Sequence, residues 1–294
     1  MKMKKADPNK IRQIVEFLSL EIGPRPIKEP KKLLEIRNFL EKELLMLGYK
    51  VEFQEIIYKK NKYYNVIASS PAEQPLKPTD DKLLVVGAHY DTVFTTPGAD
   101  DNASGVAGLL EIARLLSQNI PTGIRLVFFP MEEPPVYRTR NMASYHYAKY
   151  LKKNGQRLIG MICLEMIGYF SSRPKSQKYP FPLMDQIYPK TGDFIAMVGN
   201  IKSKNFTSKL KKLFSKYTDL PVESLNAPSI VIGIDFSDHW SFNKMNYMAT
   251  MITDTAFYRN PNYHKPTDLP NTLDYKKAAK VIDGLSGAIV EFLS

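Results

Sequence analysis

The chain carries a single cysteine, Cys163, so no disulfide can close within it and its stability must come from a packed core. No stretch approaches the roughly 20 consecutive apolar residues of a membrane-spanning helix, and no membrane span is expected. The basic opening, "MKMKKADPNKIRQIVEFLSLEIG", sets Ile11, Ile14, Val15 and Leu18 at helical spacing. It lacks the continuous apolar run and small-residue cleavage site of a secretory signal. With a lone thiol, these features predict a cytoplasmic protein. Histidine is scarce as well: there are four, so the position of each carries weight.

What the chain has in excess is positive charge, +11 over 294 residues. Its densest basic stretch, "KSKNFTSKLKKLFSK" (202–216), places Phe206, Leu210, Leu213 and Phe214 on one helical face and its lysines on the other. That is an amphipathic surface helix, and no nucleic-acid motif accompanies it, so no nucleic-acid partner is expected. The composition says nothing of oligomeric state.

The order of elements is that of one α/β domain covering residues 1–294. Two helices, about 9–21 and 30–47, precede strand-like runs at 50–58 and 62–70 that read as edge strands in a hairpin. Continuous apolar runs then mark buried strands at 82–88, 123–130, 158–166, 193–200, "SIVIGI" (229–234) and 247–254. Helices are expected from about Gly105, around 141–153, after Asp238 and from Thr272. Alternation of this kind predicts a three-layer α/β/α sandwich around a mixed, mostly parallel sheet. The proline-rich stretch 170–191, "FSSRPKSQKYPFPLMDQIYPKT", is too long for a plain connection and is expected to shape a site.

Acids and histidines gather at the ends of these strands. His89 and Asp91 follow "LLVVGA", Glu132 and Glu133 follow "RLVFFP", Glu165 follows "LIGMICL", and His264 lies in the loop after the 247–254 strand. In open α/β sheets, ligands bind beyond the carboxyl ends of the strands. Buried carboxylates converging there need a counter-charge, and a divalent metal supplies it. Each group alone has an ordinary reading: a structural histidine, a solvated Glu–Glu pair, or, for Asp100–Asp101–Asn102, a helix cap.

Taken together, "GAHYD", "PGADDNASG", "MEEPP", "EMIGY", "SDH" and "YHKPTDLPNTLDY", with "IGPRP" and "LGYKVE" upstream, resemble the co-catalytic zinc aminopeptidases, relatives of glutamate carboxypeptidase and the glutaminyl cyclases. The resemblance implies two Zn2+ ions and release of N-terminal residues from peptides by a hydroxide shared between them. It assigns His89, Asp101, Glu133, Glu165 and His264 as ligands, with Asp101 bridging. Glu132 becomes the general base and Asp91 the residue that orients His89. It also implies a cis Asp101–Asn102 peptide.

Three departures stand out. Glu165 occupies a position usually held by Asp. No Tyr precedes "SDH", leaving Tyr263 as the candidate oxyanion hydroxyl, with Asp238 and His239 near the site. "PPVYRTRN" replaces the usual glycine-containing sequence after the Glu pair. The competing reading is a single-zinc, glutaminyl-cyclase-like acyltransferase. A non-catalytic binding module on the same scaffold is disfavoured, because every ligand position holds a competent side chain.

Overall fold

The computed structural model describes residues 4–72 and 82–294; the first three residues of the basic opening lie outside the described residues. Helix α1 (Pro8–Glu16) is capped by Asp7, which accepts the Asn9 N–H, and Pro8 fills the first turn, where its missing donor costs nothing. A wider turn carries the chain on to Ile22, and α2 (Pro30–Met46) follows. Strands β1 (Lys50–Tyr58) and β2 (Asn61–Ser69) form the expected hairpin. Then come β3 (Lys82–His89), α3 (Gly105–Leu116), β4 (Ile124–Phe129), α4 (Ala143–Lys153) and β5 (Arg157–Leu164). The remainder is β6 (Ile195–Asn200), α5 (Lys204–Phe214), β7 (Val222–Ala227), α6 (His239–Lys244), β8 (Ala249–Thr253) and α7 (Tyr275–Leu293).

The eight strands among the described residues join one sheet in the order β1-β2-β4-β3-β5-β8-β6-β7. The central four, β4-β3-β5-β8, are mutually parallel, while β1, β2 and the β6–β8 pairing are antiparallel. Helices α1, α3 and α7 pack on one another and α5 joins them through α7; α4 and α6 pack together as a separate layer. The result is the predicted three-layer α/β/α sandwich. Basic helix α5 buries Phe206, Leu210, Leu213 and Phe214, and its lysines face outward. Among the described residues no helix is long and apolar enough to cross a membrane.

Two expectations fail. β2 is not an edge strand, because β4 pairs with its far side and leaves only β1 at that edge. "SIVIGI" is not a strand: its residues form turns, Ile230 and Ile232 are 90% and 59% exposed, and Gly233 sits at φ +95. The edge position next to β6 goes instead to "VESLNA", half-buried along its length. An apolar run predicts burial, but Pro228 lacks the N–H that a ladder needs, and the segment stays outside the sheet.

The parallel centre positions the site. β3, β4, β5 and β8 run in one direction in close register, His89 opposite Phe129 and Leu164 opposite Ile252, so their carboxyl ends open along one line.

Candidate metal centre

Four segments deliver the charged groups. His89 is the last residue of β3, Glu132 and Glu133 follow β4, Glu165 follows β5, and the loop after β8 carries His264. Asp101 comes from the turn before α3, where the chain must pass close to itself. Gly98 there has φ +63, and a Cβ on it would meet the Asp101 carbonyl at 2.3 Å. A Cβ on Gly105 would lie 2.2 Å from Asn102 Oδ1. Small residues before α3 are therefore what this approach requires. The Asp101–Asn102 peptide is cis.

Among the described residues, two groups bring three metal-ligating atoms within 4.8 Å of one another: His89, Asp101 and Glu165, and Asp101, Glu133 and His264. Asp101 belongs to both. His89 Nε2 is 3.1 Å from Glu165 Oε2 and 3.5 Å from Asp101 Oδ1, while His264 Nε2 is 3.1 Å from Asp101 Oδ2 and 3.4 Å from Glu133 Oε1. All but the half-buried His264 are buried. Among the described residues the buried Glu133 Oε1 has only the long 3.4 Å approach of His264 Nε2 and no well-formed hydrogen bond, a position that a bound cation would satisfy. Two imidazoles with three carboxylates suit zinc, so the residues fit the ions that the resemblance implies.

The site's electrostatics show the same crowding. Burial raises Glu132 well above the usual carboxylate range, with Glu133 and Glu165 adding to the rise and His89 opposing it. Burial, then the Asp101 charge, raise Glu133 to about 7, and burial raises Glu165. For His264, burial acts downward, but hydrogen bonds to Asp101 and Glu133 outweigh it and bring the ring to about 10. Burial acts on Asp101 in the opposite sense, yet His264 and His89 hold it below the usual range.

Asp91 is wholly buried, and its carboxylate accepts the backbone N–H groups of Glu132 (3.0 and 3.1 Å) and Glu133 (3.1 Å). Its carbonyl accepts His89 Nδ1 at 3.2 Å, and its Oδ1 lies 3.4 Å from the same nitrogen. That bond fixes the proton on Nδ1 and aims Nε2 into the site. Asn102 accepts the Gly105 and Met166 N–H groups and donates to the Leu164 carbonyl, so it caps α3 and ties it to β5. Asp100 accepts from Asn260 and Gly168.

Tyr263 stacks on His264, ring centres 3.8 Å apart, and lines the cavity with Glu132, Glu133 and Glu165. Asp238 and His239 do not line it. Both are wholly buried, and His239 Nε2 donates to the Ile234 carbonyl at 2.6 Å.

Sequence reasoning passed over several participants. Arg25 of "IGPRP" is wholly buried, donating to the Leu18, Tyr90, Pro97 and Gly98 carbonyls, which anchors the loop that leads to Asp101. Asp268 accepts the Asp100 and Asp101 N–H groups. Ser237, first residue of "SDH", bonds Glu165, and Tyr137, from "PPVY", joins the cavity wall. Their motifs were visible; their roles needed the fold.

Glu165, Phe236 and Tyr263 are shared between this cavity, about 430 Å3, and a second of about 810 Å3, open mouth included. The second is mainly apolar, with Tyr179, Tyr188, Phe194 and Phe257 in its walls and Ala196, Val198 and Met251 among its lining.

Two groups of candidate metal ligands share Asp101, and Glu132 stands beside Glu133 in neither group. The chain belongs to peptidase family M28, whose model matches residues 65–289, and it carries the metallopeptidase scaffold of that family. It is 41% identical over 289 residues to "Uncharacterized protein YfbL" of Escherichia coli (strain K12), covering 95% of this chain and 87% of that protein. It spans only 56% of the length of a more distant relative at 26% identity, the probable leucine aminopeptidase 1 of Trichophyton verrucosum. Its fold is similar to BSAP, a zinc aminopeptidase from Bacillus subtilis (TM-score 0.78, 15% identity, 100% of this chain and 97% of that one). It is also similar to a Fimbriiglobus ruber glutaminyl cyclase (TM-score 0.69, 21% identity, 98% and 96%).

Proposed function

We propose that the chain is a two-zinc aminopeptidase that releases N-terminal residues with large apolar side chains. The observation that carries this reading is the pair of complete ligand groups meeting at Asp101, beside an unligated Glu132 and at the edge of an apolar pocket. His89, Asp101 and Glu165 would hold one ion; Asp101, Glu133 and His264 the other. When bound, the ions supply Lewis acidity toward the scissile carbonyl and the attacking water.

The chain's own residues do the rest. Glu132 takes the proton from the attacking water and returns it to the leaving amine, a role suited to a buried carboxylate whose affinity for protons is raised. Asp91 holds Glu132, Glu133 and His89 in register. Tyr263 offers its hydroxyl to the oxygen that gains charge. The segment 170–191 contributes Gln177, Tyr179, Met184 and Tyr188 to the apolar pocket, which supports its role as a wall for the substrate side chain.

The test is hydrolysis of leucyl- and phenylalanyl-arylamides with zinc counted per chain. Activity that disappears with chelator and returns with two zinc ions supports the reading. One zinc per chain with cyclisation of N-terminal glutamine, and no arylamide hydrolysis, would replace it with the acyltransferase. The complete His89–Asp101–Glu165 group favours two ions. Zinc binding with neither activity would leave a binding module.

A further inference from the structure

Arg259 lies five residues before His264 and outside both cavities, yet it is one of the few buried cations, 6% exposed. Two of its guanidinium nitrogens, Nε and Nη1, are spent on the segment 170–191 and its flanks, while Nη2 is buried without a hydrogen-bond partner among the described residues. Nη1 donates to the carbonyl of Phe194 (2.8 Å), just after that segment, and of Tyr169 (3.4 Å), just before it. Nε donates to Oε1 of Gln177 (2.8 Å) inside it. The plane rests over Phe194, 4.5 Å from the ring centre, and packing against Gly192 is so close that a Cβ there would meet Arg259 Cδ at 2.8 Å. Both ends and the middle of one segment are therefore gathered on one side chain.

Gln177 passes the connection on, donating to Thr255 Oγ1 (2.9 Å), while the Lys178 N–H bonds the Tyr258 carbonyl (2.9 Å). Asp254 accepts the Tyr169 and Ala256 N–H groups. The residues that grip the segment thus sit between β8 and His264. Asn260, the residue after Arg259, bonds Asp100 at 2.7 Å, next to Asp101. One stretch of chain, 254–264, fixes the pocket wall at one end and a metal ligand at the other. Burying a guanidinium is costly, and its fork of donors suits the joining of several carbonyls at once.

We propose that Arg259 is a positioning residue for side-chain specificity, stapling the 170–191 wall to the stretch that bears His264. This rests on the aminopeptidase reading for its substrates. The staple itself can be read without any substrate.

The test compares the zinc-loaded enzyme with Arg259→Met and Arg259→Lys. Phenylalanyl- and alanyl-arylamide kinetics, bound zinc and amide hydrogen exchange across 170–191 are measured together. In Arg259→Met the KM for the phenylalanyl substrate should rise about 10-fold or more, as for a lost pocket contact, with kcat within about threefold. The alanyl substrate and zinc content should hold, exchange across 170–191 should quicken, and Arg259→Lys should recover part of the loss. If Arg259→Met does not fold, Gly192→Ala, which lies outside both cavities and whose Cβ would press on Arg259 Cδ at 2.8 Å, must give the same selective rise in KM and the same faster exchange. Equal losses on both substrates, or unchanged exchange, overturn the proposal. If wild-type protein cleaves neither substrate, the aminopeptidase reading fails, and exchange alone decides the staple.

Discussion

Ser237 donates a 2.6 Å hydrogen bond to Oε2 of Glu165, the oxygen that also lies 3.1 Å from His89 Nε2. Cys163 backs the same hydroxyl at 3.2 Å. A glutamate is longer and looser than the aspartate usual at this position, and this tether removes the added freedom. Ser237→Ala should therefore weaken zinc at the His89–Asp101–Glu165 group by about 10–100-fold, the usual effect of losing a ligand's hydrogen-bond partner. The other group should be little changed. Competition with a chromophoric chelator would resolve two binding steps in the wild type, with only one displaced in the variant.

Glu132 and Glu133 are adjacent but should separate under mutation. Glu132 belongs to neither ligand group, so Glu132→Gln should keep its zinc and lose about 10²–10⁴ in kcat, the range for a proton-transfer residue. Glu133→Gln should lose zinc first. Metal analysis alongside steady-state kinetics distinguishes the two, and full activity in Glu132→Gln would end the proposed mechanism.

How far the sequence speaks can be seen at particular residues. β3 and β4 were legible because a parallel strand buried on both faces is a continuous apolar run, and the acids at their ends were legible because such strands deliver groups to one edge. The same rule misread "SIVIGI", where apolar residues border a pocket mouth instead of entering the sheet, and missed "VESLNA", whose edge position demands no apolar pattern. Arg25, Asp268 and Arg259 were opaque for another reason. Each acts on backbone groups far away in sequence, and no local pattern records a partner 70 or more residues distant, as with Arg25 and Gly98 (73) or Asp268 and Asp100 (168).

The metal-free protein should lose stability as pH rises. His264 is raised from 6.5 to about 10, so its contribution is full below 6.5 and fades as pH climbs toward 10. Glu133, raised by burial from 4.5 to about 7, is favoured in its neutral form, and ionising it over that interval also opposes folding. Both effects run the same way. Zinc should reverse the trend, since its ligands must be free of protons. Melting curves at pH 6, 7.5 and 9 should fall steadily in chelator, and the gain on adding zinc should be greatest at pH 9. At about 100 times the dissociation constant, that gain is about 2.7 kcal/mol. A chelated protein that melts higher at pH 9 than at pH 6 would contradict this account.

The apolar pocket offers a change of specificity without touching the ions. Ala196 lies on β6, separated from the strand of Glu165 by β8, and it lines the pocket with Val198 and Met251. Enlarging it occupies space that a large substrate side chain would use, while a methyl group needs none of that space. Ala196→Leu should raise KM for leucyl- and phenylalanyl-arylamides by about 10-fold or more, since one methylene in an apolar pocket is worth about 1–3 kcal/mol. The alanyl substrate should keep its kinetics, so the preference inverts instead of activity simply falling. Kinetics on the three substrates, with zinc content held equal, check this. A uniform loss across all three would mean that the pocket does not receive the substrate side chain.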